Sequence, residues 1–218
     1  MREERRDITL LEDLHMSAKF KALLVRSVRI GRNALMDMQY GGLLGGAVET
    51  PYAHLGAVKT ENTDYVALSS IFRGRIKDSD VLVDVGCGKG RVINFWLSQG
   101  LCNRMVGIEL NDKIADETRR RLIRYKNVTI LTGNATENIP VDGTLFYLYN
   151  PFDAHVMEAF KNRLITLFGR HSNITVLYYR CKHVHVFQSD PTWVVEIRDV
   201  GGPSAFPFDQ LAVIKTRQ

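Results

Sequence analysis

The chain has 218 residues, of which 45% are hydrophobic and 24% charged. That length suits one domain burying roughly seven-tenths of its unfolded surface, and the balance excludes a disordered or membrane-embedded chain. A net charge of +5 is modest; it would point to an acidic partner only if gathered on one face, and two stretches are candidates, Lys19 to Arg32 and Arg119 to Lys126.

Met1 to Phe20 is dense in charge and has no apolar run followed by a small-residue cleavage site, so no secretory signal is expected. No uncharged run reaches the roughly 18 residues of a membrane span, and a cytoplasmic location is expected. From Ser17 to Met38, Phe20, Leu24, Val28, Leu35 and Met38 recur at helical spacing with Lys19, Arg26, Arg29 and Arg32 on the other side. This predicts a cationic amphipathic helix, read as flanking the core with its basic face in water, the alternative being contact with a membrane surface or an acidic partner. Gly41 to Gly46 reads as a hinge or loop, and a second helix is expected over about Asn62 to Phe72.

Strand and helix then alternate. Val81 to Val85 is a short, β-branched, apolar run suited to a strand buried on both faces. Gly90 to Gln99 reads as helix, Met105 to Glu109 as strand, and the next helix is expected to carry Ile114, Leu122 and Tyr125 on one stripe behind an Asn111 N-cap. Val128 to Leu131, Thr144 to Tyr149 and Ile174 to Tyr179 are further strands, with a helix from Ala154 to Phe168 stopped by Gly169. Trp193 to Arg198 and Leu211 to Lys215, joined through Gly201 to Phe208, form a closing hairpin. The pattern implies an α/β, doubly wound, mostly parallel sheet with helices on both faces and a C-terminal antiparallel hairpin. Ligands in such sheets bind beyond the carboxyl ends of the strands.

After the first strand stands Asp84-Val85-Gly86-Cys87-Gly88-Lys89-Gly90-Arg91. Alternating glycines let the backbone turn sharply and leave no side chain between it and a ligand. A dinucleotide fingerprint would put its third glycine at 91, where Arg91 stands. This G-x-G-x-G behind an acid resembles the first motif of the class I S-adenosylmethionine-dependent methyltransferases. Their cofactor carries an ammonium and a sulfonium and no pyrophosphate, so Asp84 has a partner in the amino-acid end.

Glu109 ends the second strand, 25 residues after Asp84, where a carboxylate can accept both hydroxyls of a ribose and Leu110 can pack on an adenine. That spacing fits NAD as well. The resemblance places Gly133-Asn134-Ala135 at the adenine edge, with Asn134 where an acid is commoner. It covers residues 61 to 218 and implies a seven-stranded Rossmann-like sheet. Gly86 to Val92, Gly107 to Leu110 and Tyr149-Asn150-Pro151-Phe152 look like a group of small bacterial members without an assigned substrate, in which a Thr-x-Tyr segment matched by Thr63 and Tyr65 precedes the first strand. These two either close over the methionine end or serve as helix cap and core tyrosine. The cofactor set is thus Asp84, Gly86, Cys87, Gly88, Gly90, Glu109, Leu110, Asn134, Ala135, Asn150, Thr63 and Tyr65.

Tyr149-Asn150-Pro151 is similar to the N-P-P-Tyr/Phe motif of amino methyltransferases, without its second proline. It makes Tyr149, Asn150 and Pro151 the catalytic candidates, aiming an amine acceptor, a protein side chain or small molecule before a nucleic acid. A rigid turn shaping the pocket floor is the plain alternative. Asp153 and His155 are candidates for the base of a hydroxyl acceptor. His183 and His185 alternate like ligands on a strand, yet no third accompanies them, and no metal is expected. Cys87, Cys102 and Cys181 form no C-x-x-C pair and read as free, buried thiols. Arg119 to Arg124 reads as a solvated helix face. Residues 1 to 60 are taken as a helical extension that lids the site or binds the acceptor. The rivals are an NAD-binding oxidoreductase on a similar fold and a non-catalytic module that binds a cofactor or partner.

Overall fold

The computed structural model describes residues 18–47, 49, 51–52, 54, 56–57, 61–200 and 209–217. Gly201 to Phe208, Ser17 and the Lys19 side chain lie outside the described residues. The chain divides into two compact units, Met1–Leu43 and Leu44–Gln218.

In the first unit, helix α1 spans Ala18–Gln39. Of its apolar stripe, Leu24 and Val28 are half-buried, while Phe20, Leu35 and Met38 are 53%, 60% and 53% exposed, and Leu23 and Ile30 are exposed with them. Periodicity identifies an apolar face, but only a covering surface buries it. No helix among the described residues is long and apolar enough to cross a membrane.

The second unit begins with α2, Tyr65–Phe72, whose N-cap is Asp64. The Asp64 carboxylate accepts from the Val66 N–H at 2.8 Å, so the cap read at Thr63 belongs one residue later. Then follow β1 (Leu82–Val85), α3 (Arg91–Ser98), β2 (Met105–Glu109), α4 (Asp112–Leu122), β3 (Val128–Thr132), β4 (Leu145–Tyr149), α5 (Ala154–Phe168), β5 (Thr175–Tyr179), α6 (His185–Gln188), β6 (Trp193–Asp199) and β7 (Gln210–Thr216). Asn111 caps α4 by accepting from the Ile114 N–H. That helix stops at Leu122 and buries Ala115, Thr118 and Leu122, so Tyr125 lies beyond it. There its ring meets the Arg124 guanidinium, 4.9 Å from the ring centroid. His185 opens a helix rather than lying on a strand, and Cys102 is exposed while Cys87 and Cys181 are buried.

The seven-stranded sheet runs β3-β2-β1-β4-β5-β7-β6. The pairs from β3 to β5 are parallel, and β7 runs antiparallel to both neighbours. β1 and β2 are buried at every position, as apolar strands covered on both faces must be. Alternate side chains feed opposite layers. Val83, Val85, Phe146 and Leu148 join Phe160 and Leu164 of α5 in one cluster. Tyr147, between Phe146 and Leu148, instead meets Phe72 of α2, which stacks on Phe95 and meets Trp96 of α3 edge-on. Strand order reverses between β1 and β4, which opens a crevice at the carboxyl ends of those strands.

Candidate active site

An open cleft lies at that crevice, where sheets of this kind bind their ligands. On its β1–β2 side the turn after β1 holds Gly86, Gly88 and Gly90 at φ +76°, +51° and +75°, a region L side chains rarely enter. A Cβ at Gly86 would stand 3.0 Å from the Pro151 Cβ, so the glycine keeps this floor open. Gly90 serves differently: a Cβ there would press on Thr118 at 2.9 Å, making it a packing glycine between α3 and α4. Cys87 is likewise internal, its Sγ 2.7 Å from where a Cβ of Gly107 would sit. Arg91 opens α3 buried beneath the Tyr65 ring, 5.6 Å from its centroid.

Glu109 both organises this end and faces the cleft. Its Oε2 accepts from the Gly88 N–H and its Oε1 from the Asn111 N–H, each at 2.8 Å. Burial pushes its carboxyl above the ordinary range, and the backbone N–H groups oppose that shift. Asp84 lies behind the glycine turn, 2% exposed, with no hydrogen-bond partner for Oδ2 among the described residues. Burial first and the Glu109 charge second hold its carboxyl well above the usual range. A buried carboxylate oxygen left unpaired is costly unless something cationic or donating satisfies it. This orphan and the open glycine floor are the two features that fit a cationic cofactor.

On its β2–β3 side Leu110, Ile108, Ile114, Gly133, Asn134 and Ala135 line the cleft. Asn134 does not offer its oxygen as expected. Its Oδ1 accepts from the Thr136 N–H at 3.0 Å and the Thr136 hydroxyl at 2.9 Å, a local turn that uses both lone pairs.

At the β4–β5 side Tyr149, Pro151, Phe152 and Val156 complete the wall with Ala57, Glu49 and Glu61. Asn150 is not a lining residue. It adopts φ +40°, and its Oδ1 accepts from the Tyr178 hydroxyl at 2.8 Å. Thr63 and Tyr65 also stay out of the lining. Thr63 shares a buried 2.8 Å hydrogen bond with the Tyr147 hydroxyl, and Tyr65 is a buried residue of α2. Asp153 caps α5 by accepting from the Val156 N–H. Neither it nor the exposed His155 lines the cleft.

Of the expected residues the structure gathers Gly86, Glu109, Leu110, Asn134, Ala135, Tyr149 and Pro151 around one space. Asp84, Cys87, Gly88, Gly90, Asn150, Thr63 and Tyr65 stand behind it. Glu49, Ala57 and Glu61 of the cleft wall were not singled out from the sequence. Lys89 donates to the Gly45 carbonyl at 3.2 Å, Tyr52 to Asp112 Oδ1 at 3.1 Å, and Asp153 N–H to the Gly56 carbonyl at 2.9 Å. Ala57 bridges Phe152. The local signal for this wall is Glu61, two residues before Thr63 of the Thr-x-Tyr segment.

The family model for a methyltransferase domain matches residues 83–158, about a third of the chain. Solved structures of similar fold include an RNA methyltransferase from Salinibacter ruber in complex with S-adenosyl-L-homocysteine. It is 19% identical, with a TM-score of 0.53 over 72% of this chain and 93% of that one. An O-methyltransferase from Bacillus cereus, also in complex with S-adenosylhomocysteine, is 13% identical, with a TM-score of 0.53 over 72% and 83%. The mitomycin 7-O-methyltransferase MmcR is 14% identical, with a TM-score of 0.55 over 70% and 54%. This chain therefore spans about half the length of MmcR, and at these identities the likeness is one of fold. No curated protein matches in sequence.

Proposed function

We propose, from the premise that the α/β unit is a methyltransferase domain of the S-adenosylmethionine-dependent class, that the chain transfers a methyl group to an amine, on a protein side chain or a small molecule. The carrying observation is the charge of the cleft: Glu49, Glu61 and Glu109 line it, and, although the Arg180 guanidinium comes to 4.0 Å of Glu61, no Lys, Arg or His lines it among the described residues. When bound, S-adenosylmethionine supplies an electrophilic methyl on a sulfonium. In this reading Asp84 answers its ammonium, Glu109 its ribose hydroxyls, and Leu110 and Ala135 flank its adenine.

The same charge supports the choice of acceptor. An amine attacks as a neutral group and leaves as a cation, so the nitrogen gains positive charge where carboxylates lie nearby. A hydroxyl must approach an anion to attack well, and each like-charge contact at 4 Å costs about 4 kcal/mol near a protein surface. A dinucleotide would set its pyrophosphate among the same carboxylates, which disfavours the oxidoreductase alternative on the same ground. Pro151 and Phe152, with Gly86, would exclude water from the reacting atoms. The part of the extension that belongs to the α/β unit is kept as a lid or acceptor-binding segment, supported by Glu49 and Ala57 in the wall.

Calorimetric titration with S-adenosylmethionine, S-adenosylhomocysteine and NAD tests the premise. Binding of the first two and not the third is expected; NAD binding alone would overturn it. Labelled methyl transferred into cell extract, then fractionated, tests the acceptor. Label in acid-stable N-methyl groups of protein or small amines is expected, and label in nucleic acid or methyl ethers would refute the amine. No transfer together with retained binding would favour a non-catalytic module.

A further inference from the structure

A chain of side chains crosses the β4–β5 end of the cleft. Arg180 follows β5 at φ +48°, and its Nε donates to Asp209 Oδ1 at 2.9 Å. Its guanidinium lies 5.4 and 5.8 Å from the ring centroids of Tyr149 and Tyr179. Held this way, its Nη1 donates to the Tyr149 oxygen at 2.7 Å. Tyr149 in turn directs its own proton to Glu61 Oε2 at 3.2 Å. The guanidinium itself stops 4.0 Å short of Glu61, so the phenol is the intermediary. Burial pushes the Tyr149 hydroxyl above its ordinary range, which keeps it a donor at neutral pH.

Stability accounts for the Asp209 end of this arrangement, where the Arg180–Asp209 ion pair is 37% and 11% exposed and two rings flank the guanidinium, but not for the Glu61 end. Left-handed backbone at a non-glycine residue costs on the order of 1–3 kcal/mol, and an exposed ion pair returns about 0–1 kcal/mol. Arg180 and Glu61 are 37% and 35% exposed in their side chains. Held by Asp209, Arg180 and Tyr149 give the Glu61 carboxylate a fixed orientation in the cleft wall, beside Tyr149 and Pro151.

We propose that Glu61 is the acceptor-recognition residue of the cleft, binding the cationic nitrogen of an alkylamine acceptor, with Tyr149 and Arg180 as the positioning residues that aim its carboxylate. This rests on the methyltransferase reading above. An alkylamine with a lysine-like pKa of about 10.4 docks as an ammonium and must release one proton to solvent to free its lone pair. That pair forms the nitrogen–carbon bond as the carbon–sulfur bond breaks, the bonding electrons stay on sulfur, and the nitrogen ends cationic. Glu61 therefore meets a positive nitrogen in the docked and the methylated states, and one becoming positive between them.

The test uses n-butylammonium chloride and n-butanol as probes of the full chain, by saturation-transfer NMR without cofactor and by mass-spectrometric detection of N- or O-methyl products with it. The expected result is an NMR signal for n-butylammonium, none for n-butanol, and methylation of the amine alone. Glu61→Gln, whose amide oxygen still accepts from Tyr149, should lose the signal. It should also lower kcat/KM for the amine at least tenfold, mostly through KM, while S-adenosylhomocysteine affinity stays within twofold. Tyr149→Phe should weaken the amine about threefold with the same split. Undiminished amine binding in Glu61→Gln, or preferential transfer to butanol, overturns the proposal. A wild-type protein that binds S-adenosylhomocysteine yet ignores butylammonium refutes Glu61 alone, whereas one that does not bind S-adenosylhomocysteine refutes the methyltransferase reading beneath it.

Discussion

The two ends of the cleft are built by different means. At the β1–β2 end, glycine backbone and one carboxylate accepting two backbone N–H groups define the surface. At the β4–β5 end, side chains hold side chains: Tyr178 to Asn150, Arg180 to Tyr149, Tyr149 to Glu61. Backbone geometry is shared by any sequence that keeps the glycines, so the first end suits an invariant cofactor. Side-chain networks change with single substitutions, so the second suits a chain-specific acceptor.

Removing the Glu109 carboxylate is the most damaging way to break that contrast. Glu109→Ala strands the Gly88 and Asn111 N–H groups, at about 1–3 kcal/mol for a buried one, and removes the ribose partner. A loss of about a hundredfold in S-adenosylhomocysteine affinity is expected by calorimetry, together with a lower melting temperature. A change under threefold would separate Glu109 from the cofactor.

Asp84→Asn sharpens the same end by moving stability and affinity in opposite directions. The folded carboxyl titrates above its unfolded value of about 3.9, so it favours folding most below that pH, and the contribution is lost as pH rises through the folded value. Asparagine escapes that loss. The ligand-free variant should melt higher than wild type at neutral pH, the gap closing on acidification, while cofactor affinity falls about tenfold. In the wild type, affinity for the cofactor should rise with pH across the folded titration. A flat pH profile together with an unchanged melting temperature would place a partner on Asp84 that the ligand does not supply.

Asn150→Ala probes the opposite end with the smallest expected effect. It removes the acceptor of the Tyr178 hydroxyl and puts alanine at φ +40°, for a stability loss of about 1–2 kcal/mol by denaturant titration. Turnover should fall more than cofactor affinity, because the turn carrying Pro151 shifts. Asn150→Gly should recover the backbone part of the loss. Equal losses in both variants would put the whole effect on the Tyr178 bond.

The legibility of the site follows the same division. Strand β1, the glycine turn and Glu109 are contiguous or one helix apart, so their chemistry could be read from spacing. Asn150 is legible as a turn residue, whereas its hydrogen-bond partner Tyr178 lies 28 residues on. The Glu61–Tyr149 pair spans 88 residues, and no local pattern encodes it. In α1 the apolar spacing predicts the helix, but not which of its apolar residues are covered.

By itself the sequence determined the alternation of strand and helix, the closing hairpin, and a glycine-rich strand end beside two acids, because periodicity and backbone permissiveness act over a few residues. Tertiary structure alone decided which carboxylates face the cleft, which hydroxyl aims Glu61, and which apolar faces are covered. Those depend on contacts between elements that chain order does not place together.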